Sequence, residues 1–106
     1  MKEWTRTEWE SHSRSGNVTA YYLYAPMCGT CQVASKMLEV VEELLPNLQL
    51  GQSNLNYVEA LAVDYEIESV PCLLITEKGE IREKIYAFQS VPFLYEKLKK
   101  VIDVHF

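Results

Sequence analysis

Two cysteines, Cys28 and Cys31, have only two residues between them and are the part of the sequence best suited to chemistry. A disulfide between them would close so short a loop that the chain-entropy estimate of its stabilisation is about 2 kcal/mol, against about 4.7 kcal/mol for a loop of about 100 residues. Such a bond is a weak structural cross-link. The spacing favours reversible exchange, in which one thiolate attacks a partner's disulfide and the second thiol releases the product.

The segments on either side predict where the pair lies. Residues 18–25 are apolar, β-branched or aromatic and are followed by Pro26, which predicts a strand buried in the centre of a sheet. After the cysteines, apolar residues recur at spacings of three and four and predict an amphipathic helix that ends near Pro46. The apolar positions are Val33, Met37, Val40, Val41, Leu44 and Leu45.

A cysteine at the start of a helix faces unpaired backbone N–H groups and the positive end of the helix dipole, and both favour its thiolate. Cys28 precedes the predicted helix and is expected to be the more exposed of the two, whereas Cys31 lies one turn inside it. We therefore assign attack on a substrate to Cys28 and resolution of the mixed disulfide to Cys31.

Two other interpretations of the pair are two small buried hydrophobes and half of a zinc site. Zinc usually takes four ligands. Apart from Cys72, only His12 and His105 remain as candidates, and they lie near opposite ends of the chain. We therefore expect no metal, no bound cofactor and no catalytic role for either histidine.

Charge and composition limit the classes of partner that we expect for the chain. The chain has 106 residues with 10 basic and 15 acidic side chains, and its net charge of -5 disfavours nucleic acid and anionic membranes. The first residues are charged and contain no apolar run, so we expect no signal peptide, no membrane helix and, by default, a cytoplasmic location. We also expect a monomer. The odd number of cysteines, three, argues against a secreted disulfide framework.

The remaining patterns predict an α/β domain with a central mixed sheet and helices on both faces, spanning residues 1–106 as one domain. Before the central strand, a helix is predicted that is capped by Thr5 and ended by residues 15–17. After the helix that follows the cysteines, we expect a strand at 48–53 and a helix from Asn54 or Asn56 to Tyr65. Strands at 72–76 and 80–86, joined by a turn at 77–79, precede a final helix opened by Ser90.

The motif Y-A-P-M-C-G-T-C at the strand-to-helix junction and V-P-C before the hairpin are the most specific marks of the chain. With them and the closing amphipathic helix, the chain resembles the thioredoxin family from about Val18 onward. The resemblance implies a thioredoxin fold, in which Val70 and Pro71 form a cis peptide bond packed against the cysteines. It also implies a substrate groove formed by Met27, Gly29, Thr30, Val70, Pro71 and Tyr86.

Several positions depart from the family pattern. Tyr22 stands six residues before Cys28, where the family usually has a buried aspartate, and Gln52 stands where a lysine usually accompanies it. Tyrosine stays protonated at pH 7 and is a poor acceptor for the Cys31 proton, so resolution is expected to be slow. Met27, Thr30 and Tyr86 replace the usual tryptophan, proline and glycine.

Cys72, directly after Pro71, allows two interpretations. In the first interpretation, it is a small buried residue at the start of a strand, since unpaired cysteine often behaves as a hydrophobe. Alternatively, it lies close enough to Cys28 to compete for the mixed disulfide or to join a metal site with the pair.

The function that these observations predict is a thiol-disulfide oxidoreductase of the protein-disulfide reductase type. Its substrate would be a disulfide-containing protein or a small-thiol disulfide, and an external electron donor such as a thioredoxin-reductase-like enzyme would reduce the Cys28/Cys31 pair. The alternative is a non-enzymatic thioredoxin-like module that senses redox state or binds a partner.

Overall fold

The computed structural model describes residues 1–15 and 18–105, with side chains up to residue 103. Within these residues, five strands form one sheet in the order β1-β3-β2-β4-β5. The strands are β1 (Lys2–Glu3), β2 (Thr19–Tyr24), β3 (Gln49–Asn54), β4 (Cys72–Glu77) and β5 (Glu80–Ile85). β2 pairs in parallel with β3 and antiparallel with β4, so the predicted mixed sheet is confirmed.

Helices cover both faces of the sheet, as expected for the thioredoxin fold. They are α1 (Arg6–Arg14), α2 (Gly29–Leu44), α3 (Glu59–Asp64) and α4 (Val91–His105). α2 and α4 bury Leu38 and Leu94 against one face, whereas α1 and α3 bury Trp9 and Leu61 against the other. Because β2 is central, its alternate side chains enter both cores and all are excluded from water up to Leu23.

The helix caps and the hairpin turn form as their sequences predict. The Thr5 hydroxyl accepts a hydrogen bond from the Glu8 amide at 3.1 Å, which is half of the capping box at the start of α1. The Ser90 hydroxyl accepts from the Phe93 amide at 3.2 Å at the start of α4. Gly79 has a φ of 80° in the β4–β5 turn. α1 ends at Arg14, and the predicted stop residues Gly16 and Asn17 lie outside the described residues.

The sequence patterns did not reveal β1, which pairs in parallel with the far edge of β3. Both of its side chains are exposed and it is only two residues long, so it carries no periodic signal. Its position is stabilised by the next residue, because the Trp4 amide donates to the Gln52 carbonyl at 2.8 Å. A Cβ on Gly51 would overlap the Trp4 indole, so the glycine permits this close approach.

The helix predicted from Asn54 or Asn56 to Tyr65 is interrupted. Asn54 does cap a helix, accepting from the Asn56 amide at 3.0 Å, but that helix is a single 3-10 turn at Leu55–Tyr57. Val58 then leaves helical geometry with a ψ of 40° before α3 begins. The break lets Val58 and Leu61 both enter the core beneath α1.

The predicted apolar face of α2 is partly wrong. The residues buried against the sheet are Cys31, Ala34, Leu38 and Val41. Three residues of the predicted face, Val33, Val40 and Leu44, are instead exposed by 56%, 45% and 53%. α2 therefore carries two adjacent apolar faces, and the sheet covers only one of them.

Candidate active site at the start of α2

Cys28 and Cys31 are joined by a disulfide at the point where the chain passes from β2 into α2. Their Cα atoms are 5.2 Å apart. Cys28 is the N-cap of α2, and its Sγ accepts a hydrogen bond from the Cys31 amide at 3.1 Å. A backbone N–H of the first turn thus points at this sulfur, as it would at a thiolate in the reduced pair.

The two sulfur-bearing residues differ in access to solvent. Cys31 is 3% exposed, whereas Cys28 is half-buried and its neighbour Met27 is 97% exposed. A Cβ built on Gly29 meets no atom within 4 Å, so the surface next to Cys28 is open. This is the order of exposure expected from the sequence.

Thr30 and Val70 approach Cys28 from two directions. The Thr30 Oγ1 lies 3.4 Å from the Cys28 Sγ, and the Val70 carbonyl oxygen lies 4.0 Å from it. The Val70–Pro71 peptide bond is cis, as the family resemblance implied. The loop before β4 and the start of α2 therefore meet at the more exposed sulfur.

A groove of about 350 Å³ runs beside this point. Thr30 and Pro71 form its end near the cysteines, and the Tyr86 ring forms a wall. Among the described residues, none that lines the groove is charged. The Tyr86 hydroxyl accepts a hydrogen bond from the Glu68 amide at 3.2 Å, which ties the loop before Val70 to the end of β5.

The groove also includes residues that the sequence did not single out for it, namely Val33, Ala34, Met37, Ala87, Phe88 and Gln89. Val33 and Met37 belong to the apolar stripe that predicted the buried face of α2. An apolar stripe wider than one sheet-facing face was the signal that could have indicated a second contact surface on α2.

Tyr22 occupies the position beneath Cys31 and is fully buried. Its hydroxyl donates to the Cys31 carbonyl at 2.8 Å and accepts from the Ser35 hydroxyl at 3.0 Å. Burial raises the pKa of Tyr22 above its ordinary value of 10.0. Gln52 is its register partner on β3. The hydroxyl is thus a protonated structural group that holds the first turn of α2.

Cys72 begins β4 and is completely excluded from solvent. It packs with Trp9 and Leu74 in the core beneath α1 and α3, which is the face of the sheet opposite α2. Burial raises the pKa of its thiol from 9.0 to about 12. These surroundings are those of a small buried residue.

The remaining candidates lie away from this arrangement or form no cluster. His12 stacks on the Trp4 ring with 4.4 Å between ring centroids, and the side chain of His105 lies outside the described residues. In the part of the chain that the structure describes, no three His, Cys, Asp or Glu side chains form a group able to hold a metal ion. No helix in that part has the length and apolarity needed to cross a membrane.

The sequence model of the family described as thioredoxin matches residues 1–100. The chain belongs to the thioredoxin family. The thioredoxin-like protein YusE of Bacillus subtilis is 52% identical over 84 residues, which are 79% of each chain. The thioredoxin of the same organism is 27% identical over 97 residues, covering 91% of this chain and 92% of that one.

Solved structures agree on the fold. A mutant thioredoxin from Halobacterium salinarum superposes with a TM-score of 0.84 at 23% identity, covering 94% of this chain and 88% of that chain. Oxidised mitochondrial thioredoxin 3 from Saccharomyces cerevisiae gives 0.84 at 18% identity and 94% coverage of both chains. Family membership and a C-x-x-C pair at disulfide distance together support thiol-disulfide oxidoreductase activity.

Proposed function

We propose that this thioredoxin-family chain reduces disulfides of other molecules through the Cys28/Cys31 dithiol. The Cys28 thiolate attacks one sulfur of the substrate disulfide, which forms a mixed disulfide and releases the first substrate thiolate. The Cys31 thiolate then attacks the Cys28 sulfur, which restores the Cys28–Cys31 disulfide and releases the second substrate thiolate. Two electrons pass to the substrate.

The observation that carries the proposal is the position of Cys28. Its sulfur caps α2 with the Cys31 amide at 3.1 Å, so the first turn of the helix stabilises negative charge there in the reduced pair. The same sulfur borders an open surface, whereas Cys31 is buried behind it. A substrate disulfide from solution therefore reaches the Cys28 sulfur first, and Cys31 is held next to it for the second exchange.

The groove supplies a place for the substrate. Thr30 lines the groove, and Met27 and Gly29 are exposed near it in the chain, on either side of Cys28. The Val70 carbonyl, 4.0 Å from the Cys28 Sγ, is placed to pair with a substrate amide, and Pro71 and Tyr86 line the groove. By analogy with the family, we assign substrate docking to these six residues.

The cycle requires an external supply of electrons. We propose a thioredoxin-reductase-like donor, because the chain is proposed to work without a bound cofactor and its oxidised pair needs two electrons per turnover. We also propose that the protein acts as a single cytoplasmic domain over residues 1–106 and as a monomer.

The test is reduction of insulin disulfides by dithiothreitol in the presence of the protein. The unmodified chain is expected to accelerate the reaction, and Cys28→Ser is expected to abolish that acceleration because the attacking sulfur is gone. Cys31→Ser retains the attacking sulfur and is expected to accumulate the mixed disulfide, visible on a non-reducing gel. A wild-type protein that gives no acceleration, or a Cys28→Ser variant that gives as much, contradicts the proposal.

Tyr22 favours a second candidate function. In this alternative, the chain binds a partner, its cysteines report the redox state, and it does not catalyse repeated disulfide reduction. The Tyr22 hydroxyl is occupied by the Cys31 carbonyl and Ser35, and so it offers no ready proton acceptor for resolution. Under this alternative, Cys28→Ser still captures the partner and the wild-type chain shows no multiple turnover. The insulin assay therefore separates the two functions.

A further inference from the structure

An apolar band follows the length of α2 on a side that no part of the described chain covers fully. It consists of Val33, Met37, Val40 and Leu44, spaced by four, three and four residues. Val33, Val40 and Leu44 are about half exposed and Met37 is partly buried. Successive positions at these spacings lie on one side of a helix, so the four side chains form a continuous surface.

The band continues directly from the groove at the cysteine pair. Val33 and Met37 line that groove together with Thr30 and Pro71. At the other end, Leu44 lines a second depression of about 350 Å³ with Leu48 and Ile102. The helical rise places Val33 and Leu44 about 16 Å apart along the axis. A chain held in the groove therefore has an apolar path away from the reacting sulfur.

The electrostatics of this region do not suit a small anionic disulfide. No described residue that lines the groove is charged. Along α2 the charged side chains are Lys36 against Glu39, Glu42 and Glu43, and the chain as a whole carries -5. Apolar contact is thus the attraction that this surface offers.

We propose that the α2 band is a docking surface for an apolar segment of a protein substrate, next to the disulfide that Cys28 attacks. This proposal rests on the proposed function and specifies its substrate class as a protein. A low-molecular-weight disulfide cannot reach Val40 or Leu44, which lie about 16 and 22 Å along the axis from the first residue of α2. An apolar segment of several residues covers the whole band.

The test compares two synthetic peptides that carry one cysteine as a mixed disulfide with thionitrobenzoate. In one peptide an amphipathic apolar segment follows the cysteine, and in the other the apolar positions are glutamine. The wild-type protein is expected to react with the apolar peptide about tenfold faster at limiting peptide concentration. The double variant Val40→Gln/Leu44→Gln is expected to abolish this preference, because it removes apolar contacts without touching the cysteines. Glutamine keeps helix propensity close to that of leucine.

Val63→Gln is the matched control, since Val63 is an apolar side chain exposed by 78% on α3, against the opposite face of the sheet. It is expected to keep the preference of the wild-type protein. A preference retained by the double variant, or lost equally in Val63→Gln, overturns the proposal. Equal thermal unfolding of the three proteins shows that a change in preference is not a change in folding.

A binding measurement separates this inference from the exchange chemistry. The apolar peptide with serine in place of cysteine is titrated into the Cys28→Ser protein and followed by fluorescence anisotropy. The Kd is expected to rise about tenfold when Val40→Gln/Leu44→Gln is added, whether or not the chain has reductase activity. If the peptide does not bind and sedimentation shows that the double variant instead disrupts a dimer, the occupant is a second copy and the proposal is wrong.

Discussion

At the residue scale, Tyr22 decides how the cysteine pair is supported. A carboxylate at this depth would take a proton from Cys31, whereas the tyrosine hydroxyl donates to the Cys31 carbonyl and is kept protonated by burial. Its contribution is positional. It holds the first turn of α2 through the Cys31 carbonyl. In the proposed reaction, it leaves removal of the Cys31 proton to solvent or to the departing thiolate.

Tyr22→Phe is expected to destabilise the fold by about 1 kcal/mol, since the Cys31 carbonyl loses its donor while the ring still fills the core. The free energy of unfolding is measured by urea denaturation. Ser35→Ala is the control, because it leaves the bond from Tyr22 to Cys31 in place, and it is expected to have a smaller effect. The pH dependence of disulfide exchange is expected to be the same in Tyr22→Phe as in the wild type between about pH 6 and about pH 9. Loss of a titration in that range would contradict the structural role.

Cys72 provides a prediction for alkaline pH. In the oxidised protein it is the free thiol, and burial keeps its pKa at about 12 in the folded chain, against 9.0 when exposed. Above about pH 9 the unfolded chain releases this proton and the folded chain retains it, so stability falls as pH rises toward 12. The slope from one such group is at most about 1.4 kcal/mol per pH unit.

The measurement is urea denaturation of oxidised wild-type and Cys72→Ala proteins between about pH 8 and about pH 10. Ionisation of tyrosines dominates the pH dependence of stability only above this range. The variant is expected to show a shallower fall in stability over this range. If stability fell equally with pH in the two proteins, the Cys72 thiol would ionise as readily in the folded protein as in the unfolded chain. Cys72→Ala is also expected to leave the rate of insulin reduction unchanged, because the thiol is completely buried and a substrate disulfide does not reach it.

At the element scale, the strand-to-helix junction depends on what holds the far edge of the sheet. β3 lies between β2 and β1, and Trp4 closes over it after β1. The Tyr21 hydroxyl of the central strand donates to the Trp4 carbonyl at 2.8 Å. This links the N-terminal segment to the strand that leads to the cysteines, so packing at Gly51 affects the strand beside the site.

Gly51→Ala is expected to destabilise the protein by about 1–3 kcal/mol, because its Cβ would overlap the Trp4 ring and force the indole to move. Gly29→Ala is the matched control for stability, since a Cβ there meets no atom within 4 Å. Both are compared by urea denaturation and by tryptophan fluorescence. A Gly51→Ala protein as stable as Gly29→Ala would mean that the N-terminal segment packs less tightly than described.

At the scale of the whole molecule, the excess of acidic side chains affects how fast charged substrates approach the cysteine pair. The net charge of -5 repels anionic substrates over about 10 Å at 0.1 M ionic strength, and the uncharged groove offers no local compensation. Under the proposed function, we therefore expect recognition to depend on apolar contact and on backbone groups such as the Val70 carbonyl.

The rate of reaction with a small anionic disulfide is accordingly expected to rise when salt is increased, because screening reduces the repulsion. Bis(2-hydroxyethyl) disulfide is neutral, and its rate is expected to stay constant under the same conditions. Stopped-flow oxidation of the reduced protein measures both. A rate for the anionic disulfide that decreases with salt would indicate attraction by a local cation and contradict this account.

Much of the fold follows from local signals that need no partner. The capping box at Thr5, the Ser90 cap and the turn at Gly79 depend on neighbours within four residues, and each forms as predicted. The prediction was wrong where distant contacts decide. β1 exists only because β3 offers it an edge, and the helix predicted from Asn54 or Asn56 is broken before α3 so that Val58 can enter the core.

The sequence by itself determined the strand, the two cysteines and the helix that follows, because a β-branched run, a short spacing and a 3.6-residue period are properties of contiguous residues. Only the tertiary structure decided which apolar side of α2 meets the sheet. A stripe broader than the sheet can cover leaves that choice to packing, and packing buried Leu38 and left Val40 and Leu44 at the surface. The periodicity therefore did not distinguish core residues from those of the candidate docking surface, and the packing of the fold did.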